Sequence, residues 1–179
     1  MGPEEKKIID EAPPGIITDV KAYQPWFFHD ESRLSGTMET LSFPRTAAEV
    51  AEHVAVARAA GQAITVQGMR TGITGGAVPC GGHVVNCNRM RRFLGLRRDP
   101  ETDDFLLRME PGVFMRNQIW SATTDKEFDT SAWDSDAQAA LAEFKRRPRY
   151  VFPPDPSEPT ISIGGMVANN ASGARSFHY

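Results

Sequence analysis

The chain has 179 residues, 40% of them hydrophobic, so it is long enough to form one domain with its own core. Its 20 basic and 23 acidic residues give a formal net charge of −3, which offers no reason to expect nucleic acid as a partner. No apolar run approaches the roughly 20 residues that span a bilayer, and residues 1–15 lack the apolar centre of a signal peptide. The two cysteines, Cys80 and Cys87, are too few for a disulfide framework and have no nearby partners for a metal site. Composition therefore predicts a cytoplasmic protein with reduced thiols, no membrane span and no bound metal.

The chain begins with a charged segment that differs in character from the rest. Residues 1–15 are rich in charge and contain prolines, which predicts a mobile segment. The aromatic run at 26–28 is expected to pack into a core and to dock this part of the chain. We assign residues 1–42 to an N-terminal arm and residues 43–179 to a domain.

The first well-marked helix follows Pro44. Thr46 and Glu49 have the spacing of a capping box, in which side chains satisfy the free N–H groups at a helix start. Apolar residues then recur with helical spacing at positions 47, 50, 54 and 57, and Gly61 ends the pattern. His53 lies within this helix and is expected at the surface.

A short β-branched strand, Ile64–Gln67, leads into a glycine-rich loop that reads GMRTGITGGA. Glycine permits positive φ and close approach of the backbone to a ligand, and concave sets of N–H groups bind phosphate. The loop is not a Walker A motif, because no lysine follows its glycines, nor a Rossmann fingerprint, because no helical pattern follows it. Arg70, Thr71 and Thr74 can add side-chain hydrogen bonds, so the loop is interpreted as a diphosphate site.

The remaining elements alternate between strands and helices. Strands are predicted at 83–88 and 105–109, a turn at 110–112, a helix that opens at 113, and a helix at 136–146. Ser135 is the expected N-cap of the last helix, and Pro148 ends it. This alternation predicts an α+β or α/β domain.

A second glycine cluster lies near the C-terminus. Prolines at 153, 154, 156 and 159 predict a stiff loop, and Gly164 and Gly165 then lead into a short helical stretch. Free N–H groups at such a position attract negative charge. Two separated glycine clusters indicate a long ligand with a diphosphate in its middle. Main-chain amides of both clusters are expected to bind that diphosphate.

Together these segments resemble the flavin-binding domain of the FAD-linked oxidases, also called the vanillyl-alcohol-oxidase or PCMH-type family. The family's first loop ends in a T-[GS]-x-[ST]-G-G pattern, matched by residues 71–76, and its distal segment is matched by residues 162–173. Residues 43–50 resemble the family's P-x-[ST]-x-x-E-V segment, and residues 30–36 its D-x-S-x-x-x-G segment. The resemblance covers residues 28–179, with the motifs in the family's order.

The resemblance implies an α+β fold of the PCMH type, with mixed sheets and flanking helices, and FAD as cofactor. Its implied cofactor-binding residues are Gly68, Met69, Arg70, Thr71, Gly72, Ile73, Thr74, Gly75 and Gly76, together with Pro156, Ser162, Ile163, Gly164, Gly165, Ala168, Asn169, Asn170 and Gly173. Met69 and Arg70 stand where many members have glycine, and Arg70 could reach phosphate with its side chain. Valine at Gly75 or Gly164 is expected to abolish flavin binding without unfolding the protein. No histidine occurs between Gly68 and Gly82, so noncovalent FAD is expected, with His83 the nearest attachment candidate.

The implied activity is oxidation of a 2-hydroxy acid, such as D-lactate or glycolate, by hydride transfer to flavin. The catalytic base is not identifiable, although His178 is a candidate because it follows the second segment. In family members the sequence motif at 178–179 continues past the point where this chain ends. We therefore expect a fragment or one half of a split protein, inactive alone. Its partners would be a small-molecule substrate and a C-terminal substrate domain or partner chain. Two alternatives stay open: a non-catalytic nucleotide-binding module that needs a partner chain, and a structural domain whose glycines serve turns only.

Overall fold

The computed structural model describes residues 2–147, 150, 152–154 and 158–173, and the chain divides into two compact units, Met1–Met90 and Arg91–Tyr179. The first unit contains α1 (Pro3–Glu11), β1 (Ile16–Ile17), a 3₁₀ turn (Lys21–Tyr23), α2 (Gln24–Phe27), β2 (Thr40–Ser42), α3 (Ala47–Ala59), β3 (Ile64–Gln67), β4 (His83–Asn86) and a second 3₁₀ turn (Cys87–Arg89). The second unit contains β5 (Phe93–Arg98), β6 (Phe105–Met109), a π-helical segment (Met115–Trp120), α4 (Ser121–Asp125), α5 (Ser135–Arg146) and α6 (Ile163–Ala168). The presence of strands and helices in both units confirms the α+β class.

The first unit is built on a mixed sheet with the strand order β1-β2-β4-β3. β2 and β3 both run parallel to β4, whereas β1 pairs antiparallel with β2. The predicted strand at 64–67 is confirmed as β3, an edge strand. Since parallel strands end at the same edge of a sheet, the loops that follow β3 and β4 leave from the same edge.

One face of this sheet carries the hydrophobic core of the first unit. Leu41 and Val84 are fully buried there, and they pack with Ile9 of α1 and Phe27 of α2. The expected packing of the aromatic run 26–28 is therefore confirmed. The prediction of a mobile segment at the N-terminus was wrong: residues 3–11 form α1, whose inward face carries Ile9, fully buried in the core, and the buried Glu5 one turn before it.

The opposite face of the sheet is covered by α3, whose predicted start and end are confirmed. The Thr46 hydroxyl accepts a hydrogen bond from the N–H of Glu49 at 3.1 Å, and Gly61 has a φ of +67°. The predicted surface position of His53 was wrong, because this side chain is 5% exposed. It shares the inward face of α3 with Ala57, one helical turn further on, and its ring lies 6.4 Å from that of His83 on β4.

The second unit is built on the antiparallel pair β5 and β6, against which α5 packs. Its core consists of Leu96, Trp133, Ala137, Leu141 and Phe144. The helix predicted at 136–146 is confirmed, but its N-cap is Asp134 rather than Ser135: an Asp134 carboxylate oxygen accepts from the N–H of Ala137 at 2.8 Å. The helix predicted from residue 113 is a π-helical segment that continues into α4. Pro148 lies outside the described residues.

Candidate functional site

The glycine-rich loop leaves the sheet at the end of β3, and buried amide side chains hold its two ends. The Gln67 amide donates to the carbonyl of Ala77 at 2.7 Å and to that of Phe27 at 2.9 Å, closing the base of the loop. The Gly68 carbonyl accepts from the side-chain amides of Asn88 at 3.1 Å and Asn86 at 3.4 Å. These three amide residues were missed from the sequence. Polar residues at the ends of two adjacent apolar strands were the available signal.

Met69 and Arg70, which open the loop, turn inward. The Met69 side chain is buried, and the Arg70 side chain is 7% exposed. The Arg70 guanidinium forms an ion pair with Glu5 of α1 and lies 4.6 Å from the centre of the Phe27 ring. Burial lowers the pKa of Arg70, and the Glu5 carboxylate opposes that shift. In this geometry the Arg70 side chain is engaged with the protein interior rather than directed to a phosphate.

The rest of the loop, residues 71–76, presents its main chain outward. Among the residues that the structure describes, none accepts a hydrogen bond from the N–H groups of 71–76. Gly75 has a φ of +76°, and its carbonyl accepts from the N–H of Val78 at 3.1 Å. A Cβ placed on Gly72 would meet no atom within 4 Å. A run of unsatisfied and accessible N–H groups is a chemical match for an anion.

A second predicted motif, residues 30–36, is brought against this loop within the first unit. The buried Asp30 carboxylate accepts from the N–H groups of Ser32 at 2.9 Å and Ala77 at 3.4 Å. The N–H of Glu31 donates to the Arg70 carbonyl at 3.1 Å. The exposed Leu34 side chain lies beside Gly75, where an added Cβ would approach it to 3.1 Å. The motif therefore contacts the loop near both of its ends and at Gly75.

The second glycine segment keeps fewer N–H groups free than the sequence suggested. The N–H of Ile163 donates to the Val113 carbonyl and that of Gly164 to the Pro111 carbonyl, both at 2.9 Å. Gly165 donates its N–H to no described residue. The Ser162 hydroxyl, 1% exposed, likewise has no hydrogen-bond partner among the described residues. Among the described residues of this segment, the Gly165 N–H and the Ser162 hydroxyl are therefore candidates for ligand contact, beside the exposed side chains at its end.

Gly164 has a packing role that the sequence did not reveal. A Cβ on Gly164 would lie 2.7 Å from the Pro111 Cβ and 3.0 Å from its carbonyl oxygen. The expectation that Gly164→Val leaves the fold intact was therefore wrong, since the substitution clashes with Pro111. Gly165 has more room, because its nearest atom would be the Ser162 hydroxyl at 3.6 Å.

The remaining predicted residues of this segment lie at its exposed end. Ala168, Asn169 and Asn170 are exposed, and Asn170 has a φ of +50°. The Asn169 side-chain amide donates to the Gly165 carbonyl at 2.9 Å, and Gly173 has a φ of +84°. Pro156 and His178 lie outside the described residues.

His83, the nearest histidine to the loop in sequence, is a core residue. It is fully buried on β4, where its ring nitrogens contact the hydroxyls of Thr40 at 2.8 Å and Ser42 at 3.0 Å. Burial, with a smaller contribution from His53, lowers the pKa of His83 to about 4, so the ring is neutral at physiological pH. Both nitrogens are occupied by hydroxyl partners.

Two further observations limit the chemistry of the described residues. They contain no group of three His, Cys, Asp or Glu side chains arranged to hold a metal ion. None of the helices in the described part of the chain has the length and apolar character needed to cross a bilayer.

Comparison with known proteins agrees with this geometry. A family model described as an FAD binding domain matches residues 39–123, which include β2, α3, β3, the glycine-rich loop and β4. A D-lactate dehydrogenase from Anaerostipes hadrus is 30% identical over 156 residues, which are 86% of this chain and 27% of that protein. The chain thus spans about a quarter of the length of this curated relative.

Solved structures show the same fold at low sequence identity. Alkyldihydroxyacetonephosphate synthase matches 97% of this chain with a TM-score of 0.62 and 16% identity, and the chain covers 33% of it. Aclacinomycin oxidoreductase matches 89% of this chain with a TM-score of 0.58 and 21% identity, and the chain covers 27% of it. The fold is that of the PCMH-type FAD-binding domain, as the resemblance implied.

Proposed function

We propose that this chain, which has the PCMH-type FAD-binding fold, is the FAD-binding part of a flavin-dependent oxidoreductase whose substrate is a 2-hydroxy acid such as D-lactate or glycolate. The observation that carries the proposal is the run of N–H groups at 71–76 that have no partner among the described residues, in the loop that follows the parallel strand β3. In the proposal these amides hold the diphosphate of FAD.

The chemistry of the loop fits a diphosphate. Peptide N–H groups attract anionic oxygens without burying a full positive charge, which would require costly desolvation. Gly72, Gly75 and Gly76 carry no side chain to keep a ligand from the main chain, and the hydroxyls of Thr71 and Thr74 can add hydrogen bonds. In this proposal the Arg70 side chain supports the loop and does not bind phosphate, because its guanidinium is paired with Glu5.

The second segment is proposed to supply further contacts to the same cofactor. The Gly165 N–H and the buried Ser162 hydroxyl are two of its groups that have no partner among the described residues. A buried hydroxyl without a partner loses hydrogen-bond energy, which a ligand atom would restore. Exposed amide side chains at Asn169 and Asn170 can donate to or accept from a ribityl chain or a flavin edge.

Noncovalent attachment is part of the proposal. The loop itself contains no histidine, and His83 has both ring nitrogens against hydroxyls in the core. Covalent linkage to His83 would require it to leave a buried position on a central strand of the sheet. The absorbance of flavin after acid precipitation of the loaded chain distinguishes the two cases, since noncovalent FAD appears in the supernatant.

The substrate class is supported by the 30% identity to a D-lactate dehydrogenase. Bound flavin supplies hydride acceptance, while the protein binds and orients the reactants. The chain spans 27% of that relative, so the proposal places the substrate site and the catalytic base in a further domain or a partner chain. The proposal also includes a cytoplasmic location, in which Cys80 and Cys87 remain free thiols.

The cofactor proposal is tested by titrating the chain with FAD and following quenching of flavin fluorescence. Gly72→Val adds a side chain at an open position of the loop, so we expect FAD affinity to fall about tenfold or more while the melting temperature holds. Ala48→Val, at an exposed position of α3, is the control and retains affinity. No binding by the unmodified chain, or equal binding by all three proteins, contradicts the proposal.

The substrate proposal is tested on the complete gene product with an artificial electron acceptor. Dye reduction that depends on D-lactate or glycolate supports a 2-hydroxy-acid dehydrogenase. FAD binding without oxidation of either acid favours the non-catalytic nucleotide-binding module.

A further inference from the structure

Arg70 adopts a backbone conformation that residues other than glycine rarely adopt. Its φ is +58°, in the left-handed region, where the Cβ comes close to the following carbonyl oxygen. Glycine would adopt this conformation freely. Residues 71–76, which present the N–H groups without a described partner, follow directly. The backbone conformation of Arg70 therefore determines the position and direction of the chain at the start of that run.

The Arg70 side chain has three contacts that favour this conformation. Its guanidinium pairs with the Glu5 carboxylate, donates to the Gly68 carbonyl at 3.3 Å and lies over the Phe27 ring. The Glu5 contact comes from outside the loop and carries the opposite charge. Glu5 is itself buried, with 8% of its surface exposed.

Helix α1 is fixed in place independently of this ion pair. Ile9 is fully buried in the core of the first unit, and the Arg89 guanidinium donates to the Asp10 carbonyl at 2.6 Å. Glu5 therefore presents its carboxylate from an anchored helix. An anchored partner holds a side chain in place at less entropic cost than a free surface residue would.

We propose that Glu5 is a positioning residue for the glycine-rich loop: by pairing with Arg70 it maintains the left-handed conformation that presents the N–H groups of 71–76. The inference rests on the proposed function, because it assigns those N–H groups to FAD. It also assigns the N-terminal helix to the cofactor site, through a residue that touches no cofactor atom.

Loss of the Glu5 charge removes the larger of the two carboxylate attractions on a buried guanidinium and leaves only the smaller one, from Glu31. Breaking one partner of a buried ion pair is strongly unfavourable, so the Arg70 side chain is expected to move toward solvent and release the start of the loop. The peptide bond between Arg70 and Thr71 then becomes a substrate for trypsin. This bond reports on the loop without any cofactor.

The first experiment is limited trypsin digestion of the apo chain, with fragments followed by mass spectrometry. Cleavage after Arg70 is expected to be about tenfold faster in Glu5→Gln than in the unmodified chain, while cleavage after Arg58 in α3 stays constant. Glu4→Gln, on the same helix but exposed, is the matched control and leaves both rates unchanged. Unchanged cleavage after Arg70, or equal acceleration at both sites, overturns the inference.

The second experiment is a double-mutant cycle on FAD affinity. Glu5→Gln is expected to weaken FAD binding about tenfold in the unmodified background and to have no effect in the Arg70→Gly background, where glycine needs no partner. An equal effect in both backgrounds overturns the inference. If the unmodified chain binds no FAD, the proposed function fails, and the trypsin result alone decides the role of Glu5.

Discussion

Glycines in the two segments proposed to bind FAD have different structural roles. Gly72 faces open space, whereas the Cα of Gly164 faces Pro111. The sequence could identify both as glycines of ligand-binding motifs, but not which one is needed for packing. That distinction depends on a contact with a residue far away in the chain, which no local pattern encodes.

Gly164→Ala is therefore predicted to destabilise the fold by roughly 1–3 kcal/mol, because its methyl group overlaps Pro111. Urea unfolding of the apo chain measures the change. Gly165→Ala is the matched control, since its methyl group would make an ordinary contact with Ser162. Equal stability of the Gly164→Ala variant and the unmodified chain would show that Pro111 can move away.

His83 predicts a pH dependence of stability. Its pKa is about 4 in the folded chain and near 6.5 when unfolded, so above pH 6.5 the ring is neutral in both states. As the pH falls from 6.5 toward 4, the unfolded chain gains a proton that the folded chain does not accept. Stability is then lost by up to about 1.4 kcal/mol per pH unit.

Urea midpoints at pH 7 and pH 5 test this dependence. His83→Gln is predicted to reduce the loss of stability between these two values, whereas His29→Gln, at an exposed position, retains it. A His83→Gln variant with the full loss of stability would assign the effect to other groups.

Among the secondary-structure elements, those marked by local signals were predicted and the others were not. α3 has a capping box and a terminal glycine, and β3 has β-branched residues before a glycine loop. α1 was missed because its charged residues outnumber the apolar ones, and its one deeply buried residue, Ile9, is fixed by tertiary contacts. β5 pairs through a register shift near Gly95, so its apolar pattern is not a simple alternation.

The cap of α5 provides a test at this scale. Asp134→Ala removes the acceptor for the Ala137 N–H and is predicted to destabilise the second unit by about 1 kcal/mol. Ser135→Ala, the cap that sequence spacing favoured, is predicted to be nearly neutral. Thermal unfolding of both variants decides the assignment, and a larger effect of Ser135→Ala would reverse it.

At the scale of the whole molecule, the glycine-rich loop was easier to predict from the sequence than the contacts that support it. Residues 71–76 were predicted as a ligand loop and have the unpaired N–H groups that such a loop needs. The buried amides of Gln67, Asn86 and Asn88 and the ion pair with Glu5 were not predicted. Each of these joins residues that are distant in sequence, so only the fold reveals them.

The central claim, that the main-chain amides of 71–76 bind the diphosphate of FAD, is tested most directly by NMR of the ¹⁵N-labelled chain during an FAD titration. The account predicts that the amide resonances of 71–76 shift most, with saturation at one equivalent, and that those of α3 remain in place. FAD binding that leaves the amides of 71–76 unchanged would contradict it, as would the absence of any shift.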